Sequence, residues 1–88
     1  MALIGGDIEQ MGGLASTFSQ QMAAIHNIIS TIEGPVSAST GFWYGPKGNE
    51  LREAWPQSKS ALLHLAEILD HCSTNTKTTA DGFAQVGG

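Results

Sequence analysis

Apolar residues recur along the chain at two helical spacings. From Ile4, alternate steps of four and three residues land on Ile8, Met11, Ala15, Phe18, Met22, Ile25, Ile29, Ile32 and Val36. Every stop is apolar, which is an unbroken a/d heptad seam on one helix. A second seam starts at Gly48 and steps three and four. It passes Leu51, Trp55, Ser58, Leu62, Leu65, Leu69, Cys72, Thr76, Thr79, Phe83 and Val86, apolar in its centre and weakening to threonine near its end. Two long helices with matched heptads and a short break predict an all-α fold, an antiparallel helix-turn-helix hairpin.

The break lies where Gly41 and Gly45 bracket Phe42-Trp43-Tyr44, with Pro46 next. A proline at the first helical position after a glycine is a common helix start. The expected layout is a single domain over residues 1–88, with helix one at about 7–40, a turn at 41–45 and helix two at about 46–80. Gly82 and Gly87-Gly88, after a threonine-rich run, predict a flexible tail over 81–88. Two prolines strain this layout. Pro35 falls inside or at the end of helix one, and Pro56 inside helix two removes the hydrogen bond to the Arg52 carbonyl. Both seams hold register across them, which favours kinks; otherwise helix one stops near Glu33 and an irregular connection follows.

A hairpin of two rods touches along one line and buries little. Yet residues 61–69 of helix two are apolar around most of their circumference, as are Met22–Ile25 and Ile28, Ile29 and Ile32 of helix one. Both belts lie fifteen to twenty residues from the turn, so a hairpin sets them level. Leu14 and Ile28 mark a second stripe on helix one; Ala54, Ala61 and Ile68 mark one on helix two. A helix apolar on two sides needs cover on two sides. The natural cover is a second hairpin, completing a four-helix bundle, with Leu14, Ile28, Ala61, Leu65 and Ile68 at the dimer interface.

Charge narrows the partners. The 88 residues carry a net charge of −4 with only four Lys and Arg, which leaves no electrostatic footprint for nucleic acid or anionic membrane. No apolar run approaches the roughly 18 residues of a membrane span. The first residues lack the basic start and long apolar run of a signal peptide, so export would take another route. Cys72 stands alone, which excludes an internal disulfide; it reads as a small buried hydrophobe, with a reactive thiol the alternative. His64, Glu67 and His71 share a helix face and form the only candidate metal cluster. Their spacing matches no compact ligand pair, so a solvated polar face is the preferred reading and no metal is expected. No cofactor, small-molecule substrate or enzyme activity is expected, because a rod-like bundle offers no cleft.

Trp43-Tyr44-Gly45, in the turn between two heptad helices near the middle of a chain of this length, resembles the W-x-G signature of the WXG family. These are small type VII secretion proteins, similar to the early secretory antigenic target of mycobacteria. The resemblance spans nearly the whole chain. It implies a secreted or cell-surface protein, cytoplasmic before export, moved as a folded dimer by an ATPase-driven secretion system. It also implies a homodimer, or a heterodimer with a paralogous chain. Family members often carry an export signal, an aromatic residue and an acid four positions on, just past helix two. Here the last acid is Asp81, Lys77 stands four before it, and Phe83 has no acid after it. That departure favours a heterodimer whose partner carries the signal.

On this reading Trp43, Tyr44 and Gly45 form a recognition surface beside the partner's tail, and a Cβ at Gly45 would obstruct another backbone. The simpler readings are a Trp43 plug, an idle Tyr44 and a Gly45 helix cap. Trp55 reads as core and Met11 and Met22 as filler. Two other functions stand beside the secretion reading: a helical scaffold not linked to secretion, and a zinc protein using the His64 face.

Overall fold

The computed structural model describes residues 5–87, and side chains as far as Gln85. Ile4 and the side chain of Val86, the outermost stops of the two seams, lie outside the described residues. Two helices follow one another: α1, Ile8–Ala38, and α2, Pro46–Gly87, joined by a 3-10 turn, Ser39–Gly41, and a four-residue loop. No strand occurs among the described residues. Asp7 caps α1 with its side chain, Oδ1 accepting the Gln10 amide at 3.0 Å, and Glu9 complements the positive helix end.

The helices lie side by side and antiparallel. Three cross-helix bonds set the register. Arg52 Nη1 donates to Ser39 Oγ, Lys59 pairs with Glu33 at 2.8 Å, and Ser73 Oγ donates to the Ala15 carbonyl at 2.8 Å. The hairpin measures 64 × 23 × 13 Å, so it is only one helix thick. Its core is a line. Ile25 and Ile29 of α1 meet Ala66 of α2, with Met22, Trp55, Leu62 and Leu69 packed around them. The two apolar belts are therefore level, as their distance from the turn requires. Ala15 and Ala80 are buried nearer the open end.

The inner seam of α2 differs from the expected one at every second stop. Trp55, Leu62, Leu69, Thr76 and Phe83 face inward to some degree and Gly48 is buried. Between them, however, the inner places belong to Arg52, Lys59, Ala66, Ser73 and Ala80, each one residue beyond Leu51, Ser58, Leu65, Cys72 and Thr79. Leu51, Ser58, Leu65 and Thr79 are exposed. The reason is close approach. Alanine at 66 and 80 lets the backbones come together where leucine would hold them apart. Lys59 and Ser73 enter because each has a bonding partner waiting on α1, and Arg52 because Ser39 of the 3-10 turn awaits it.

Two boundaries also differ. The α-helical part of α1 ends at Ala38 rather than near residue 40, the chain tightening into the 3-10 turn. Helix α2 runs on through Thr78, Thr79 and Gly82 to Gly87, where the spacing had ended it near residue 80. Half-buried Phe83 gives that last stretch an apolar contact, with Gly6 alongside its ring. Pro35 and Pro56 both sit within continuous helix.

Candidate functional site

A hairpin one helix thick has two broad faces, and here they differ in chemistry. Residues three and four apart share a helix flank. On one flank of α1 stand Gln10, Leu14, Gln21, Ile28, Ile32 and Pro35. The flank of α2 on the same side carries Leu51, Ala54, Ser58, Ala61, Leu65, Ile68 and Cys72. A groove of about 320 Å³ between Ile32, Pro35 and Leu51, closed at one end by Phe42 and Trp43, places these flanks on one face. Leu14, Ile28, Ile32, Leu51, Leu65 and Ile68 are all exposed there. Its charge is confined to the turn end of α2, where Lys47 pairs with Glu50 at 3.3 Å beside Leu51 and Ala54.

The opposite face is polar and small. Gly12, Ser16 and Ser19 of α1 line a groove of about 450 Å³ with Lys77 and Asp81 of α2. His26, Glu33 and Asp70 lie along the same side, and Ile8 and Leu63 are its exposed large apolar residues. His64, Glu67 and His71 ride the outer ridge of α2, exposed to solvent. Among the described residues, no three His, Cys, Asp or Glu side chains converge as a metal site.

The expected contact residues therefore share a surface. Leu14, Ile28, Ala61, Leu65 and Ile68 occupy the same face, although the sequence had placed Leu65 on the hairpin's own seam as well. It left Leu51 on that seam and did not single out Ile32 as a face residue; the structure turns both outward onto this face. The signal for Leu51 was hidden because Leu51 and Arg52 fit the heptad equally well in spacing, and apolarity alone selects the leucine. Cys72 is half-buried at the edge of this face.

At the closed end of the hairpin, Trp43 is 40% exposed, Phe42 68% and Tyr44 76%. Trp43 is thus neither a buried plug nor free in solvent; its ring forms one wall of the apolar groove. The Tyr44 hydroxyl donates to the Gly41 carbonyl at 2.8 Å, closing the loop on itself. Gly45 has φ +96°, a left-handed backbone that disfavours a side chain, and its carbonyl accepts the Asn49 amide at 3.1 Å to start α2. No atom of the described residues outside the immediate neighbourhood would come within 4 Å of a Cβ there. Within the hairpin, the demand for glycine is conformational rather than steric. Trp55 lies on the seam as expected, its Nε1 buried and without an acceptor among the described residues.

No protein-family model matches the sequence, and no curated protein does. Solved structures do. The secreted protein EsxB of Bacillus anthracis superposes over the whole of both chains with a TM-score of 0.85 at 28% identity. A second crystal form of EsxB matches at 30% identity and a TM-score of 0.82, covering 96% of this chain and 97% of that one. A glycine-to-alanine variant of EsxB gives the same values. With that hairpin shared end to end and Trp43-Tyr44-Gly45 at its turn, the chain belongs to the WXG family of small ESAT-like proteins.

Proposed function

We propose that this protein is a type VII secretion substrate or adaptor that pairs with a like hairpin through its apolar face and leaves the cell as a folded dimer. The observation that carries the reading is the contrast between the two faces. Exposed Leu14, Ile28, Ile32, Leu51, Leu65 and Ile68 share one largely apolar surface on a hairpin 64 Å long. Contiguous apolar surface of this kind marks an interaction site. A face of this length accommodates the roughly 800 Å² per partner of a standard interface. Pairing would cover both helices on a second side and complete a four-helix bundle.

The likeness to secreted EsxB supports export. No helix of the described residues is long and apolar enough to cross a membrane. The partner is a paralogous WXG chain that supplies a tail signal for export, with a homodimer as the alternative, and the secretion ATPase is the further partner. Trp43, Tyr44 and Gly45 are the recognition surface at the turn. The role is one of binding and not catalysis, with no cofactor. The test is export from cells that contain the secretion ATPase, with and without the paralogous chain. Wild type should leave the cell only when paired. Export of the unpaired chain, or none with any partner, would overturn the reading.

A further inference from the structure

One guanidinium joins the three pieces of the turn. Arg52 lies in the second turn of α2 and is half-buried. Its Nη1 donates to Ser39 Oγ at 2.9 Å, and its Nη2 donates to both the Trp43 carbonyl and Asn49 Oδ1, each at 3.0 Å. Ser39 is only 2% exposed and is itself fully engaged. Its hydroxyl donates to the Val36 carbonyl at 2.6 Å, and its carbonyl accepts the amides of Phe42 and Trp43 at 3.1 and 2.8 Å. The end of α1, the loop and the start of α2 therefore meet at a single planar fork.

Gly48 supplies the other half of the arrangement. A Cβ at that position would stand 2.7 Å from the Trp43 carbonyl oxygen, and 3.1 Å from both Trp43 Cγ and Arg52 Nη2. A backbone oxygen cannot swing aside as the tip of a side chain can. Alanine is ordinarily the better helix residue, so a glycine inside α2 carries a propensity cost that this close approach explains.

We propose that Gly48 and Arg52 together seat Trp43, which makes Arg52 a positioning residue for the turn's recognition surface although it lies outside the W-x-G signature. Gly48 lets the Trp43 backbone rest on α2, and Arg52 fastens it to Ser39 and Asn49. The role in recognition rests on the reading of Trp43 given above. Lysine cannot replace Arg52, because one ammonium on a flexible stem has no fork to span three acceptors.

The test uses the full-length dimer with Arg52→Lys, Gly48→Ala and Trp43→Ala. Three quantities are read: hydrogen exchange at the Trp43 amide, dimer affinity, and export from cells with the secretion ATPase. Arg52→Lys and Gly48→Ala should speed Trp43 amide exchange about tenfold or more, and leave dimer affinity within about twofold. Both should also lower export as Trp43→Ala does. Unchanged exchange at Trp43 overturns the seat. So does a loss of dimer affinity in both variants, which makes the contact a general stabiliser. Faster exchange with normal export of all three variants, Trp43→Ala included, keeps the seat and overturns the recognition reading instead.

Discussion

The two broad faces of this hairpin come from the same helices and the same heptads, yet one is largely apolar and the other polar. On the first, the residues flanking the seam are Leu14, Ile28, Ile32, Leu51, Leu65 and Ile68, with alanines between them and charge only at the turn end, in the Lys47–Glu50 pair. On the second they are Gly12, Ser19, His26, Asp70, Lys77 and Asp81, with Ile8 and Leu63 as isolated apolar residues. The seam between the faces is narrow. Its buried apolar members among the described residues are Ala15, Ile25, Ile29, Ala66 and Ala80, three of them alanine. A core of that size does little to hold two rods together. The difference supports the proposed pairing, in which a second hairpin covers one face and not the other.

The comparison breaks most visibly if a charge is placed on the first face. Ile28→Glu or Ile68→Glu leaves an unpaired carboxylate at the centre of the contact. Each should weaken pairing by several kcal/mol, on the order of a thousandfold or more in dimer affinity measured by analytical ultracentrifugation. A smaller effect is expected at the seam itself. Ala66→Leu adds volume at the most buried apolar position of the seam, and should cost about 1–3 kcal/mol in a urea unfolding series. Gly45→Ala forces a side chain into the left-handed region and should cost about 1–2 kcal/mol in the same series. On the second face, Leu63→Glu meets only solvent and should shift stability and pairing by less than about 0.5 kcal/mol. The Cys72 thiol sharpens the contrast without mutation. At the edge of the contact face it should react slowly with a thiol reagent in the dimer and faster once Ile68→Glu has separated the chains.

Much of this contrast was legible from spacing. The α1 seam holds at Met11, Ala15, Phe18, Met22, Ile25, Ile29 and Val36, because apolar residues every three or four positions favour one helical register, while the stops Ile8 and Ile32 are exposed. Gly45 and Pro46 located the start of α2, since a left-handed glycine followed by a proline at the first helical position is a local signal. The α2 seam was half legible. At Leu65 and Ala66, or Leu51 and Arg52, hydrophobicity points to the leucine, whereas the inner place goes to the residue that allows close approach or finds a partner on α1. That information lies in the opposite helix. The end of α2 was hidden for a related reason: a threonine run followed by glycine reads as fraying, and only the Phe83 contact near Gly6 shows otherwise. The roles of Gly48 and Arg52 were out of reach, because they arise where three segments distant in conformation meet at the turn.

The central claim is that one face pairs and the other does not. Native mass measurement of wild type, Ile68→Glu and Leu63→Glu, each alone and mixed with the paralogous chain, tests it most directly. The account predicts a two-chain complex for wild type and for Leu63→Glu, and a single chain of about 9.2 kDa for Ile68→Glu under the same conditions. A dimeric Ile68→Glu, or a Leu63→Glu chain that fails to pair while wild type does, would contradict it.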